Sequence, residues 1–431
     1  MPVENSRLKG FYNLSVEERR NIVSLATNLQ AEHVTALKSY GELSEDAADH
    51  MIENVIGTMS LPVGIATNFK IDGKDYLIPF CVEESSVVAA ASNMAKRCLV
   101  HGGFVTSNDD PIMIAQLQVL DIENCEKAAK IIEEQEQSLI EFCNNIPSKM
   151  ISLGGGCRSI TTRIVQTPLQ TMLVLHLLVD CRDAMGANAV NTMAERLAPS
   201  IETLTGGRVH LKILSNLAAH RLARAKAIFT PAELSDNGDV VQGKAVIQGI
   251  LEAHQFAVYD PFRATTHNKG IMNAISSVAL ACGQDWRAIE AGCHAWASFA
   301  HGRYSSMSSW TTDDEGNLVG EVEVPLAVGI VGGASKVHPG ARANLAILGV
   351  DSAQELAGIM ACAGLSQNLG ALRALATSGI QAGHMKLHSK NMAVSAGAVG
   401  DEIEVLALKL QHYDGPRTQT LVEEWLRELR S

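Results

Sequence analysis

The segment from about residue 112 to residue 215 places the strongest constraint on how this chain can fold. Apolar residues alternate along PIMIAQLQVLDI, which predicts a strand, and three further strands are predicted at CRSITTRIV, TMLVLHLLVD and RVHLKILSN, the first two of these joined by a Thr-Pro turn. Helical patterns over about 123–143 and 184–204 separate the first strand from the second and the third from the fourth. The order strand-helix-strand-strand-helix-strand predicts a split, ferredoxin-like βαββαβ unit.

Helical patterns dominate the chain on both sides of this unit. Ser44 is expected to cap a helix that carries HMIENVIG and ends at Gly57. Asp72-Gly73, between two apolar runs, predicts a hairpin turn. The periodicity predicts further helices at about 216–228, 241–257, 270–281, 286–299, 352–364 and 367–379. Residues 320–333 are predicted to form a strand pair or one long strand.

The chain is therefore predicted to be a multidomain α+β or α/β protein with a discontinuous, mainly helical large domain. This large domain takes residues 1–110 and 216–379, and the inserted ferredoxin-like domain takes residues 111–215. A small helical unit follows over residues 380–431. The composition, 46% hydrophobic and only 4% aromatic, fits an enzyme-like core built from aliphatic side chains.

Charge and cysteine usage narrow the cellular context. The net charge of −12 argues against nucleic acid as the main partner. The nine cysteines contain no CxxC pair and lie mostly in apolar segments, which favours reduced thiols in a cytoplasmic protein. The first residues, MPVENSRLKG, lack the apolar core of a signal peptide, and no apolar run reaches the length of a membrane span.

Polar side chains are densest in DPFRATTHNKG, residues 260–270, directly before the predicted helix at 270–281. Lys269 would lie at the start of that helix, where its charge opposes the positive end of the helix dipole. A polar cluster with a cation in so unfavourable a position indicates an anion or a carbonyl oxygen that must be held. A solvated loop without a function is the alternative.

Carboxylates precede two of the predicted helices. Glu83 and Glu84 come directly before a helix that contains Val87, where they could stabilise its amino terminus or supply a proton-transfer group. Asp285 most simply caps the helix at 286–299. These positions alone leave both the structural and the catalytic interpretation open.

The segment CRDAMGANAVN at 181–191 follows a strand and opens a helix. Asp183 could cap this helix, and Gly186 would let the pyrophosphate of a dinucleotide approach the helix amino terminus. The chain contains no GxGxxG sequence, so a Rossmann site is not supported. A second glycine-rich turn, GIVGGAS at 329–335, is by itself weak evidence for phosphate binding.

His384 and His388 are four residues apart in QAGHMKLHSKN. This spacing could place two metal ligands on one helix face, but no glutamate lies between them and no third ligand is evident. A proton-transfer role for one histidine is the preferred interpretation, and no metal is expected.

Eight motifs follow one another along the chain. They are ENVIG (53–57), EESSVVAAAS (83–92), DAMGANAVNTM (183–193), DPFRATTHNKGIMN (260–273), GQDWRAIEAG (283–292), VGGASKVHP (331–339), LSQNLGALRALAT (365–377) and GHMKLH (383–388). Together they resemble 3-hydroxy-3-methylglutaryl-CoA (HMG-CoA) reductase, in particular its soluble, bacterial class II form. The resemblance covers nearly the whole chain. It implies an oxidoreductase of isoprenoid metabolism that reduces HMG-CoA twice, through bound mevaldehyde, to mevalonate and CoA, and that can run in reverse.

The resemblance also implies four catalytic residues. The family's lysine corresponds to Lys269, its acid to Glu84, its aspartate to Asp285 and its histidine to His384. Lys269 would stabilise the negative oxygen formed by hydride attack, and His384 would protonate the departing CoA thiolate. A protonated Glu84 would donate to the aldehyde oxygen, with Asp285 between Glu84 and Lys269.

Further residues are implied for binding. Arg263 would pair with the free carboxylate of the substrate. The other substrate-binding residues would be Glu53, Asn54, Ser86, Thr266, Asn273 and Asn368. The dinucleotide would contact Asp183, Met185, Gly186 and Asn188, with Gly332 and Gly333 nearby.

The resemblance implies an intertwined homodimer with active sites at the interface and a carboxy-terminal flap, here 380–431, that closes over the substrate. NADH-preferring relatives carry an aspartate shortly before the GGG of the small domain. Here no acidic residue lies between Asn144 and Gly154. NADPH, or either cofactor, is therefore expected rather than strict use of NADH, and Lys149 could meet a 2′-phosphate.

Two other functions fit part of this pattern. The protein could reduce a different acyl-CoA thioester that ends in a carboxylate, or it could bind or cleave a CoA thioester without redox chemistry. The second alternative needs no dinucleotide, so residues 183–188 would only open a helix. Oxidation of two nicotinamide cofactors per HMG-CoA would distinguish these alternatives from the preferred function.

Overall fold

The computed structural model describes residues 3–41, 43–145, 148–377, 389–413 and 415–431. The largest hydrophobic cluster combines residues between 66 and 104 with residues between 223 and 372. A second cluster belongs almost entirely to the inserted unit, and a third contains only residues after 391. This division is consistent with the discontinuous arrangement predicted from the sequence, whose domain boundaries stay a prediction.

Helices and a hairpin precede the inserted unit. The elements are α1 (Val16–Ala26), α2 (Ala31–Lys38), α3 (Glu45–Asp49), β1 (Val63–Ile71), β2 (Lys74–Cys81), α4 (Val87–Arg97) and β3 (Val105–Asn108). Strands β1 and β2 pair antiparallel around Asp72 and Gly73. Both turn residues have positive φ, as the primed hairpin turns require, so the predicted hairpin is confirmed.

The predicted helix from Ser44 to Gly57 is mostly wrong. Ser44 caps α3 as expected, but the helix ends at Asp49. Beyond it, Ile52 and Ile56 remain exposed and pack on no core of the described chain. A short helix gains most of its stability from such packing, so the segment without it adopts turns and extended backbone.

The inserted unit has the predicted ferredoxin-like topology. Its elements are β4 (Ile112–Leu120), α5 (Cys125–Glu134), α6 (Glu136–Asn144), α7 (Lys149–Ser152), β5 (Gly156–Gln166), β6 (Thr171–Asp180), α8 (Ala187–Thr205) and β7 (Arg208–Ser215). The four strands form one antiparallel sheet in the order β5-β6-β4-β7. Helices α5, α6 and α8 pack on this sheet and bury Leu117, Leu175 and Ile201. The helix predicted at 123–143 is interrupted at Gln135 into α5 and α6.

The chain then returns to the large unit. Its elements are β8 (Leu222–Phe229), α9 (Pro231–Leu234), α10 (Val240–Tyr259), α11 (Pro261–Ala281), α12 (Trp286–Phe299), β9 (Ser308–Thr312), β10 (Leu318–Pro325), α13 (Ala334–Val337), α14 (Pro339–Leu348) and α15 (Ala353–Ala376). Strands β3, β8, β10 and β9 form a second four-stranded sheet in that order. Helix α15 packs against α4, α10, α11 and this sheet, so it lies at the centre of the large unit.

Three element predictions for this region need correction. The predicted helix at 216–228 is wrong, because β8 occupies its second half and alternates buried alanines with the outward-facing Arg224 and Lys226. The predicted break between two helices at 352–379 is absent, since α15 runs continuously with Ser366 and Gln367 buried. Strand β10 covers only the start of residues 320–333 and pairs with β8 and β9.

The last described segment has its own small core. Residues 389–395 are helical (α16), and α17 (Asp401–Gln411) and α18 (Gln419–Arg430) follow. Their buried side chains are Ala393, Ala398, Leu406, Leu410, Val422 and Leu426. Across the described residues, no single helix has the length and apolarity to cross a membrane, and only the pair α14–α15, bent by 84°, passes that test together.

Candidate active site

Helix α11 begins earlier than the sequence pattern indicated. Asp260 is its N-cap, because Oδ1 accepts the N–H of Arg263 at 2.7 Å, and Pro261 is the first helical residue. Lys269 therefore lies in the third turn, and the expected conflict with the helix dipole does not exist. In the sequence, Asp260-Pro261 indicates this helix start, but the dense polar residues after it resemble a loop.

Helix α11 has one buried face and one solvent-accessible face. His267, Asn268 and Ile271 point into the core. Thr266 and Lys269 are exposed and Asn273 is half-buried, and their spacing of three and four residues places them on the same side of the helix. The predicted substrate residues of α11 therefore share one accessible stripe.

Glu84 faces this stripe from the turn between β2 and α4. The Nζ atom of Lys269 donates to Oε2 of Glu84 at 2.9 Å. The structure thus brings together the predicted catalytic cation and the predicted acid. Both side chains keep access to solvent, and so a substrate oxygen could reach them.

Ser86 lies next to Glu84 at the N-cap position of α4. It has a φ of 76°, which is unusual for a residue with a side chain. Its Oγ is buried and has no hydrogen-bond partner among the described residues. A strained backbone and an unpaired hydroxyl group indicate a position that is held for a ligand.

Arg263 lies in the first turn of α11, and its guanidinium is unpaired in the described residues. The side chain is half-buried, and within the described residues it forms neither an ion pair nor a hydrogen bond. Burial lowers its pKa from the usual value. An anionic group of a ligand would be its natural partner.

Asp285 is not close to Lys269 within one chain. Its Oδ1 accepts the N–H of Ala288 at 3.1 Å and lies 3.4 Å from Nη2 of Arg287, so it caps α12 as its simplest interpretation predicted. The twelve residues from Lys269 to the end of α11 span about 18 Å. A catalytic role for Asp285 with Lys269 therefore requires a second copy of the chain.

Asn368 has a different environment from the one that the resemblance implied. It is 1% exposed, and its Oδ1 accepts from Ser308 Oγ at 2.9 Å and from Trp310 Nε1 at 2.8 Å. Its Nδ2 lies 3.2 Å from Nε2 of His267. The amide is thus occupied inside the core, on the buried side of α11. Its expected place in the substrate pocket is not supported by this geometry.

Glu53 and Asn54 form no hydrogen bond or ion pair with Lys269 or Glu84 in the described residues, and two predicted site residues lie outside the description. Glu53 and Asn54 are exposed after α3, with Asn54 at a φ of 56°. His384 and His388 lie outside the described residues. Across the residues that are described, no group of three or more His, Cys, Asp or Glu side chains could hold a metal ion.

Residues 181–186 form a tight loop before α8. Asp183 does not cap α8, because its Oδ1 accepts the N–H of Ala353 at 2.9 Å instead. Its carbonyl oxygen accepts the N–H of Ile330 at 2.9 Å, which joins the loop to the glycine-rich turn. Gly186 occupies the N-cap position with a φ of 96°, and α8 has no side-chain cap. The first N–H groups of α8 are therefore available to an anion.

Close backbone approaches also hold this loop and the turn together. A Cβ atom on Gly329 would lie 2.5 Å from the backbone nitrogen of Met185, so a side chain there would separate the two segments. Asn188 is exposed in the first turn of α8. Gly332 and Gly333 both have positive φ and open space around them. The predicted dinucleotide residues thus form one accessible region that suits a diphosphate.

Gln284 is a positioning residue that the sequence interpretation missed. Its Nε2 donates to the carbonyl oxygen of Gly329 at 2.9 Å, and its Oε1 accepts the N–H of the same glycine at 2.8 Å. It precedes Asp285, so it links the amino terminus of α12 to the glycine-rich turn. Its place in the motif GQDW was visible, but its partner 45 residues away was not.

A cation beside a carboxyl group, together with an open helix amino terminus next to a glycine-rich turn, is the arrangement that a dinucleotide-dependent oxidoreductase acting on a carbonyl group requires. A family model for hydroxymethylglutaryl-coenzyme A reductase matches residues 15–389. The chain belongs to this family.

Individual relatives agree with this assignment. The chain is 52% identical over 427 residues to the 3-hydroxy-3-methylglutaryl-coenzyme A reductase of Archaeoglobus fulgidus, covering 99% of this chain and 95% of that protein. It is 37% identical over 385 residues to a probable reductase of the same name from Borreliella burgdorferi, covering 88% and 85% of the two chains.

Solved structures agree as well. A 3-hydroxy-3-methylglutaryl-coenzyme A reductase from Streptococcus pneumoniae superimposes with a TM-score of 0.83 at 38% identity and covers 98% of this chain and 99% of its own. A class II structure from the same organism, bound to NADPH in open conformations, gives a TM-score of 0.81 at 38% identity, with 97% and 100% coverage. The resemblance to the class II enzymes and the predicted mixed, multidomain fold are confirmed.

Proposed function

We propose that this chain reduces HMG-CoA to mevalonate and CoA with two nicotinamide hydrides, and that Lys269 and Glu84 carry the chemistry. The observation that supports this assignment is the 2.9 Å contact between Lys269 Nζ and Glu84 Oε2 on the open face of α11. Family membership supports this reaction, and the contact supports a position for the reacting oxygen between the two side chains.

The reaction needs charge stabilisation in both of its halves. Two nicotinamide cofactors, bound one after the other, would each supply one hydride, the first to the thioester carbon and the second to the aldehyde carbon. In each half, the ammonium group of Lys269 stabilises the negative charge that develops on the substrate oxygen. One group therefore serves both reductions, through enzyme-bound mevaldehyde.

Two protons complete the balance. When the carbon–sulfur bond breaks after the first reduction, the departing CoA thiolate takes a proton from His384. After the second reduction, the alkoxide takes a proton from Glu84 and becomes the primary alcohol of mevalonate. His384 would come from residues 380–431, acting as a flap that excludes water from the site.

The substrate is selected by its free carboxylate. Arg263 supplies a planar pair of donors that matches a carboxylate and has no competing partner among the described residues. Ser86, Thr266 and Asn273 would complete the polar wall of the pocket, with Glu53 and Asn54 at its edge. A CoA thioester without a terminal carboxylate would leave Arg263 unpaired and would bind less well.

Asp285 would act from the second subunit of a homodimer. Within one chain, about 18 Å of α11 separates Lys269 from the helix end that precedes Asp285, so the two side chains cannot meet. A twofold axis that brings α12 of one subunit to α11 of the other would complete both sites at once. The active site would therefore be built from two copies of the chain.

The dinucleotide would be held by Asp183, Met185, Gly186 and Asn188, with Gly332 and Gly333 beside them. The uncapped amino terminus of α8 fits a diphosphate group. We further propose that the protein uses NADPH at least as well as NADH. The residues between Asn144 and Gly154, shortly before β5, include Lys149 and no acidic side chain that would repel a 2′-phosphate.

A steady-state assay in both directions, with NADPH and with NADH, tests this function. With HMG-CoA, nicotinamide absorbance should fall by two equivalents per substrate consumed, and mevalonate with CoA should reverse it. Oxidation only with another carboxylate-bearing acyl-CoA would favour the first alternative. Binding of HMG-CoA without any oxidation would favour a non-redox protein. A Lys149→Gln variant should have a lower kcat/KM with NADPH and an unchanged kcat with NADH.

A further inference from the structure

Arg221 is a buried cation that the residues assigned above do not use. It lies between β7 and β8, where the chain returns from the inserted unit, and it is 5% exposed. Burial lowers its pKa to about 10, so it stays charged at neutral pH. Within the described residues its guanidinium forms no ion pair, only hydrogen bonds to carbonyl oxygens. Burying a charge without an ion-pair partner is energetically unfavourable, which indicates that the structure requires a cation at this position.

The three hydrogen bonds of Arg221 connect the two halves of the dinucleotide region. Its Nη1 donates to the carbonyl oxygens of Ala184 and Met185 at 3.2 and 3.3 Å, in the loop before α8. Its Nη2 donates to the carbonyl oxygen of Val328, directly before the glycine-rich turn. One rigid fork therefore holds both segments, which a shorter or more flexible side chain could not bridge.

The orientation of these carbonyl groups also sets the direction of the N–H groups. In a trans peptide the C=O and N–H groups point in opposite directions. Because the carbonyl group of Met185 points at Arg221, the N–H of Gly186 points away from it, beside the uncapped start of α8. The guanidinium then lies behind the loop without an ion pair in the described residues, and the carboxylates of Asp180 and Asp183 lie close enough to stabilise its charge.

We propose that Arg221 is the positioning residue that assembles the dinucleotide site. It fixes residues 183–186 against residues 328–333 and turns the N–H of Gly186 toward the side where the diphosphate would lie. This inference rests on the proposed function, because it concerns the cofactor of the same reaction. This role differs from a general contribution to folding, because loss of Arg221 should weaken binding of the dinucleotide and leave binding of the acyl-CoA substrate unchanged.

Binding measurements on Arg221→Lys and Arg221→Gln test this role. Arg208→Gln is the matched control, because Arg208 lies on the adjacent inserted unit and forms an exposed ion pair with Asp121. Titration calorimetry with NADPH should show affinity lower by on the order of tenfold or more in both Arg221 variants, since neither can bridge the three carbonyl groups. Affinity for HMG-CoA and for CoA should be unchanged, and the control should bind both ligands normally.

The outcomes separate this inference from the proposed function. A folded Arg221→Lys protein that binds NADPH as tightly as the wild type would overturn the role of Arg221 and leave the reductase function intact. A wild-type protein that binds neither NADPH nor NADH would overturn both. If the variants do not fold, hydrogen exchange of the wild-type protein decides. NADPH should then slow exchange in residues 183–188 and 328–333 together, and protection of only one of these segments would contradict the proposal.

Discussion

The ammonium nitrogen of Lys269 lies 2.9 Å from Oε2 of Glu84, although 185 positions separate the two residues in the chain. The contact joins the open stripe of α11 to the turn before α4. Because the Lys269 side chain is 61% exposed and that of Glu84 is 37% exposed, such a pair contributes little to stability. Its geometry is better explained by the oxygen that both groups could meet at once.

Replacing Lys269 with methionine should abolish catalysis and leave the fold intact. The methionine keeps the length of the side chain but removes the charge that stabilises the oxyanion. We expect kcat to fall by roughly a hundredfold to a thousandfold or more, the cost of losing one preorganised electrostatic group. The loss should occur with HMG-CoA and with mevaldehyde, measured as separate half-reactions, because Lys269 serves both.

The control for this experiment is Lys226→Met. Lys226 forms an ion pair of 2.8 Å with Glu321, and both side chains are 53% exposed, so the same kind of contact is removed. This variant should keep wild-type kcat and thermal midpoint. Substantial turnover by Lys269→Met with either substrate would contradict the assignment.

Arg263→Gln should weaken the substrate complex without destabilising the protein. The guanidinium has no partner among the described residues, so its removal breaks no internal contact. Losing a charged hydrogen bond of about 1.5–3 kcal/mol predicts a KM for HMG-CoA higher by roughly tenfold to a hundredfold. Inhibition by free CoA should be unchanged. Arg342→Gln, which removes an exposed pair with Glu32, serves as the control. An unchanged KM for HMG-CoA would remove Arg263 from the site.

Two inactive variants should restore activity when their subunits are mixed. If Asp285 acts in trans, a dimer of one Lys269→Met subunit and one Asp285→Asn subunit contains one intact site, formed by Lys269 of the second and Asp285 of the first. Random pairing should then give about a quarter of wild-type activity. Co-expression with two affinity tags isolates the mixed dimer. A purified mixed dimer without activity would mean that Asp285 acts within its own chain, and an active Asp285→Asn homodimer would mean that Asp285 has no catalytic role.

The sequence predicted the inserted unit better than the sheet of the large unit, for a physical reason. In β4 and β6 the buried positions carry mainly Val, Leu and Ile, which form strongly apolar segments of strand length. In β8 they carry mainly alanine, which has high helix propensity and a weak hydrophobic contrast. Only pairing with β3 and β10, which lie far away in sequence, makes this segment a strand.

For the active site, too, the local sequence does not determine which residues come together in space. Motifs identified Lys269 and Glu84, but nothing in the local sequence places them within hydrogen-bonding distance. The direction of a side chain was less predictable still. Asn368 lies in a motif that resembles a substrate-binding segment, yet its amide is bonded to Ser308 and Trp310 in the core. Arg221 belongs to no motif, and its three partners become visible only in three dimensions.

Stability should fall steeply below neutral pH because two buried histidines are kept neutral. Burial lowers the pKa of His267 to about 3, with Arg263 and His254 adding repulsion, and burial lowers that of His254 to about 4. Below pH ~6.5 the unfolded chain gains protons that the folded chain refuses, so each histidine costs about 1.4 kcal/mol of unfolding free energy per pH unit. Urea unfolding at fixed protein concentration between pH 7 and about 5 measures this slope. His267→Gln should flatten this slope by the contribution of one histidine. An unchanged slope in His267→Gln would show that this imidazole is protonated in the folded protein.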